Sequence, residues 1–171
     1  MSGALLYAVL AAVAAYLTGS LLQTVIHRWL GHQAVGTFFQ RRHVLDHHRI
    51  YSPRHLVSSD YSAVERSLTP YYAVPAGGVI AFLRLVLPIA PFLSFSMTML
   101  VSFAAHAYIH KHYHLQRTWL ERFRWFRRHR DLHYVHHRNG RRNYAVIDFF
   151  WDRLFGTFTE APQNPDGAKQ R

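Results

Sequence analysis

From Ala4 to Ile26 the chain carries no charge, and the first arginine, Arg28, comes one residue after a histidine. A run of that length crosses the hydrocarbon core of a bilayer, about 30 Å thick, as a single helix. Lipid offers the backbone no hydrogen-bond partner, so only helices and closed barrels span it, and an unbroken apolar run specifies a helix. A cleaved signal peptide would have a charged start and a shorter apolar core. Retention as a membrane helix is therefore the expectation. Two more apolar segments, Tyr71 to Pro88 and Phe92 to Ile109, flank a turn marked by Pro88 and Pro91. They read as a membrane hairpin whose first arm must let Arg84 snorkel or face protein.

Lysine and arginine outnumber aspartate and glutamate by 20 to 9, a formal charge of +11. Such a balance suits nucleic acid or an anionic membrane surface. The apolar runs decide for the membrane, and no nucleic-acid partner is expected. Every lysine and arginine except Arg84 lies in 27–70 or 111–171. The positive-inside rule then puts both basic regions in the cytoplasm and the N-terminus outside, which three crossings satisfy. The expected fold class is all-α: a helical integral membrane protein, of a bacterial inner membrane or the endoplasmic reticulum, with a cytoplasmic histidine-rich helical cap. Residues 1–160 form one domain, and 161–171, rich in Pro, Asn, Gly and Gln, read as a disordered tail. In Trp119 to Arg130 aromatic residues alternate with arginines, which suits the bilayer interface or a basic helix packed by its aromatics.

Fourteen histidines occur in 171 residues, and most are clustered: His27 and His32; His43, His47 and His48; His106 and His110; His133, His136 and His137. All four clusters fall on the expected cytoplasmic side. With no cysteine, thiolate sites, iron–sulfur clusters and disulfides are excluded, and any metal must be held by imidazole, carboxylate, carbonyl or water. His43 and His47, His106 and His110, and His133 and His137 are four apart, a spacing that stacks side chains on one helix face. His27 and His32 are five apart, which needs a helix end, a π-turn or two separate metals. Ten neutral imidazoles gathered at one membrane face would titrate and repel one another if left unliganded. Ten also exceed what one mononuclear site can use, so a two-metal centre is the expectation. His55, His112, His114 and His129 stand outside this pattern. Haem ligation would explain two to four histidines and leave the rest idle. A zinc protease would need His-Glu-x-x-His, which is absent.

The clusters read His27-Arg-Trp-Leu-Gly-His32, His43-Val-Leu-Asp-His47-His48, His106-Ala-Tyr-Ile-His110 and His133-Tyr-Val-His136-His137. The later stretch runs from Asn143-Tyr-Ala-Val to Trp151-Asp152-Arg-Leu-Phe-Gly156-Thr157. In order and together, over about residues 20 to 160, these resemble the fatty acid hydroxylase and sterol desaturase superfamily of histidine-box membrane oxygenases. The resemblance implies a helical membrane fold and a pair of non-haem irons, with zinc possible in their place. It implies O2 as co-substrate and hydroxylation or desaturation of an unactivated C–H bond in a fatty acyl or sterol-like lipid. With no electron-transfer domain appended, a separate donor is implied, a ferredoxin or a cytochrome with its reductase. The candidate metal ligands are His27, His32, His43, His47, His48, His106, His110, His133, His136 and His137. Asp46, Asp131, Asn143 and Asp152 are candidates for holding imidazole N–H groups. A carotenoid-ring hydroxylase of the same superfamily and a non-enzymatic membrane metal-binding protein are the alternative readings.

Overall fold

The structure, a computed structural model, describes residues 3–162. It is all-α, and among these residues there is no strand, only an isolated bridge between Ser58 and Leu115. Apart from Ala161 and Pro162, the tail expected to be disordered lies outside the described residues.

Helix α1 (Gly3–Ile26) continues without a break into a π-helical turn, His27–Gln33. After a short bend, α2 (Phe38–Gln40), a second π-helical turn (Arg41–His47) and α3 (His48–Ile50) form one helical run that carries the second histidine cluster. Thr37 starts it by accepting the Gln40 N–H on its hydroxyl, an ordinary N-cap. A 3-10 turn, Val64–Leu68, leads into α4 (Thr69–Val86), and Pro88 opens α5 (Ile89–Tyr113). A further 3-10 turn, Trp119–Arg122, precedes α6 (Arg124–Arg138), and the short α7 is Phe150–Leu154.

Helix α1 packs along α5, and Ala15, Ala76, Phe95 and Met99 form the seam with α4. Gly19 makes the approach possible, because a Cβ there would stand 3.0 Å from Met99 Sδ. The outer faces stay apolar and uncovered: Leu6, Leu10, Val13 and Leu17 on α1, and Leu93, Met97, Leu100 and Val101 on α5. Apolar area of that extent marks a surface made for something other than water. Residues Gly3–Gln33 and Ile89–Tyr113 form two helices long and apolar enough to cross a bilayer. The chain is thus a membrane protein. The third expected crossing is not among the two. Helix α4 has only 18 residues, with Pro75 inside it and Arg84 in its last turn, and its polar first turn dilutes its apolar content.

Loops and α6 form a cap over one end of the α1–α5 pair. Tyr113 Oη donates to Val146 O at 2.8 Å, Trp151 Nε1 donates to Ser20 Oγ at 2.9 Å, and Tyr16 Oη donates to Asp148 Oδ2 at 2.8 Å. These bonds fasten residues 146–151 along the two long helices. Asn143 enters this stretch at φ 53°, a left-handed conformation that asparagine tolerates better than most residues. Its side chain is locked there by donating to Leu132 O and Thr159 O and accepting from Thr159 N–H.

Candidate metal centre

The cap brings ten imidazoles together in two groups of five. His27, His32, His43, His48 and His136 form one; His47, His110, His114, His133 and His137 form the other. Within each group one nitrogen per ring lies within 4.8 Å of all the others. The groups abut, with the rings of His48 and His137 stacked at 4.2 Å between centroids.

The two π-turns decide the sorting. A π-turn bonds residue i to i+5: Ala34 N–H donates to Trp29 O, and His48 N–H to His43 O. Residues five apart are thereby paired, so His27 joins His32 and His43 joins His48 in the first group. His47, four residues from His43, is released to the second. Helix α6 keeps ordinary α spacing and pairs His133 with His137, while His114, the C-cap of α5 with its N–H on Lys111 O, comes beside His110. Gly31 sits where the first group closes, and a Cβ there would stand 3.2 Å from both His27 Cδ2 and His43 Cδ2.

Nine of the ten histidines singled out in the sequence lie in these groups. The tenth, His106, lies in neither. Its ring is 6.2 Å from that of His110, and its Nδ1 is buried without a partner. His114, set aside in the sequence, is fully buried within the second group. It caps α5, one turn beyond His110. Spacing favoured His106 and His114 equally, and only the position of the helix end separates them.

Five of the ten Nδ1 atoms meet an acceptor. His27 donates to Tyr144 O at 2.5 Å, His136 to Arg142 O at 2.8 Å, His137 to Tyr51 O at 2.7 Å and His114 to Leu56 O at 2.9 Å. His43 Nδ1 meets Glu65 Oε1 at 2.5 Å. A ring that donates from Nδ1 presents a bare lone pair at Nε2. The Nε2 atoms nonetheless converge: His27 to His43 at 2.7 Å, His32 to His136 at 3.1 Å and His43 to His48 at 3.0 Å. With His27 Nδ1 on a carbonyl and His43 Nδ1 on an ionised Glu65, the two Nε2 lone pairs face each other, an arrangement that a bound cation relieves. In the second group Nε2 of His114 and of His137 each lie 3.1 Å from Nε2 of His133, and both nitrogens of His47 are buried without a hydrogen-bond partner.

Burial disfavours a proton in that role. Burial first, and neighbouring imidazoles second, hold His43, His47, His48, His133, His136 and His137 well below the usual histidine range. Burial pushes His114 down to about 4. These rings are neutral at pH 7, as metal ligands must be. Two imidazoles at right angles on an ion with bonds of about 2.1 Å would be about 3.0 Å apart, which matches the Nε2 separations. Neutral imidazole suits iron, zinc, copper or nickel, so the donor set fits a transition metal in each group.

The family model for fatty acid hydroxylases matches residues 12–157. The chain belongs to the fatty acid hydroxylase family. No curated protein and no solved structure matches it. In this family member two cavities meet the histidines. One, of about 460 Å³, touches His27, His43, His106 and His110 and extends between Leu68, Tyr72 and Phe103 at the junction of α4 and α5. The other, of about 750 Å³, opens over His32 between Arg28, Arg138 and Arg141.

The four polar residues expected to hold imidazole N–H groups do something else. Asp46 pairs with Arg42 at 2.8 Å, Asp131 is exposed, and Asn143 holds backbone. Asp152 accepts from Tyr144 N–H, Ala145 N–H and the Thr157 hydroxyl, so it reaches His27 only through the peptide that follows Tyr144. The acceptors are instead backbone carbonyls, which no sequence motif displays, and Glu65, which lies outside every histidine cluster.

Proposed function

We propose that this chain is an O2-dependent lipid oxygenase that hydroxylates or desaturates an unactivated C–H bond at a histidine-held pair of iron ions. The proposed ligands are the two groups of five, with His114 in the place first given to His106. The observation that carries the reading is the meeting of a membrane-rim cavity with both groups. His27 and His43 come from the first group and His110 from the second, and all three line the cavity, which has Leu68, Tyr72 and Phe103 on its apolar side and Arg66 and Lys111 elsewhere in its wall. Its volume, about 460 Å³, lies in the range of small-molecule sites.

Bound iron would supply the oxygen activation that organic side chains cannot. The protein's share is positioning and exclusion. The backbone carbonyls of Tyr144, Arg142, Tyr51 and Leu56 fix ring orientation and tautomer, which raises ligand basicity and holds each Nε2 on target. Burial of the rings keeps water from competing for the reacting face. The apolar wall takes a hydrocarbon chain from the bilayer and presents one carbon to the imidazole face. Hydroxylation consumes O2, two electrons and two protons, placing one oxygen in the lipid and one in water. Desaturation consumes the same and releases two waters. The electrons come from a separate donor, a ferredoxin or a cytochrome with its reductase. By the positive-inside rule the cap faces the cytoplasm, in a bacterial inner membrane or the endoplasmic reticulum.

The purified protein is expected to hold close to two ions per chain, with His47→Ala and His136→Ala each losing at least one. Cells expressing it with a reductase are expected to gain oxygenated or newly unsaturated lipid, read by mass spectrometry. A protein without metal, or an unchanged lipid profile, would overturn the proposal. Two bound ions with no lipid change would instead favour a metal-binding protein without catalysis.

A further inference from the structure

Among the described residues Glu65 is the one carboxylate that meets the imidazoles, and it meets both groups at once. Its Oε1 lies 2.5 Å from Nδ1 of His43, in the first group. Its Oε2 lies 3.3 Å from Nδ1 of His110 and 3.5 Å from Nδ1 of His47, both in the second. The side chain is 18% exposed and forms part of the cavity wall beside His27, His43 and His110. It comes from the 3-10 turn Val64–Leu68, directly before α4. Among the described residues no arginine or lysine pairs with it; its only charged-atom partners are the three histidines.

We propose that Glu65 is a positioning residue that couples the two ion sites, so that they fill together. This rests on the two-ion reading above. An ion on Nε2 of His43 draws electron density from the ring and strengthens the Nδ1–H bond to Oε1. That fixes the carboxylate, whose second oxygen then stands ready for the Nδ1–H of His110 and His47, leaving the opposite nitrogen of each ring as the bare donor. One negative charge between two dications also offsets their mutual repulsion. Glutamine has nearly the same shape but cannot do this. Its amide oxygen can serve His43, but its NH2 then faces His110 and His47. Facing a donor, those rings place their proton on Nε2, the wrong nitrogen for binding.

The test is a cobalt(II) titration of the full chain in detergent, stripped of metal by a chelator and followed by the visible ligand-field absorption. Wild type is expected to take two ions in a single step. Glu65→Gln is expected to separate the titration into two steps, the second weaker by about 10–100-fold. Glu65→Asp keeps the charge and shortens the arm, and is expected to fall between. A purely structural role would lower the thermal midpoint of the metal-free protein without separating the steps. If Glu65→Gln binds both ions in one step at the wild-type midpoint, the coupling is refuted while the metal centre stands. Should Glu65→Gln not fold, Glu65→Asp decides alone, since one unshifted step refutes the coupling. If wild type takes up no cobalt, the two-ion reading fails and the coupling with it.

Discussion

Replacing Asp152 by asparagine alters one buried carboxylate oxygen and is expected to weaken an ion site that it does not touch. Oδ1 of Asp152 accepts from Tyr144 N–H at 2.9 Å and from the Thr157 hydroxyl at 2.6 Å; Oδ2 accepts from Ala145 N–H at 2.8 Å. The Ala145 N–H and the Tyr144 carbonyl belong to one peptide unit, and that carbonyl receives His27 Nδ1–H. Asparagine keeps one oxygen but turns an NH2 toward the Ala145 N–H. The loss is one charge-assisted bond at a buried donor, about 2–3 kcal/mol. For a chain of this length that lowers the melting temperature by roughly 4–12 °C. The freed peptide no longer fixes the His27 tautomer, so the first group is expected to bind its ion about 10–100-fold more weakly while the second is unchanged. Differential scanning calorimetry and chelator competition measure the two effects. Wild-type stability with both ions retained at wild-type affinity would refute the chain from Asp152 through the peptide to His27.

Three further outcomes are expected. His114→Ala removes a ring from the second group and lowers the metal content by about one ion per chain, whereas His106→Ala leaves the content unchanged; elemental analysis of both variants separates them. Gly31→Ala puts a methyl 3.2 Å from His27 and His43, so the first ion is lost or weakened although alanine favours helix; metal analysis beside a melting curve shows whether binding and stability part in this way. For the metal-free protein, acid is destabilising. Burial, and mutual proximity as well for all but His114, lowers the folded values of His43, His47, His48, His114, His133, His136 and His137. The unfolded chain therefore binds more protons below its ordinary value of about 6.5, and stability falls as pH drops through that point, by up to about 1.4 kcal/mol per pH unit for each ring. Circular dichroism is expected to show unfolding between about pH 6.5 and 5, and a metal-free fold unaffected at pH 5 would contradict the burial of neutral rings.

The helical class and most of the histidines gathered in the candidate site were readable because both rest on periodicity. An uncharged run specifies a membrane helix, and histidines spaced four apart specify a shared face. What periodicity could not supply was which spacing the backbone would use. His43 lies four residues from His47 and five from His48, and the π-turn chose His48. His106 and His114 flank His110 at equal distance, and the tertiary position of the end of α5 chose His114. The acceptors for the imidazole N–H groups were hidden for a different reason. Carbonyls of Tyr51, Leu56, Arg142 and Tyr144 are common to every residue, and Glu65 reaches the site from a separate turn. Asp46 was drawn in by its place inside the second cluster, but on that turn it lies four residues from Arg42 and pairs with it.

The central claim, two ions each held by five imidazoles, is tested most directly by anomalous X-ray diffraction from crystals of the metal-loaded protein, recorded at the absorption edge of the bound element. Two anomalous peaks are predicted, one among His27, His32, His43, His48 and His136 and the other among His47, His110, His114, His133 and His137. A single peak, or density away from these rings, would contradict it.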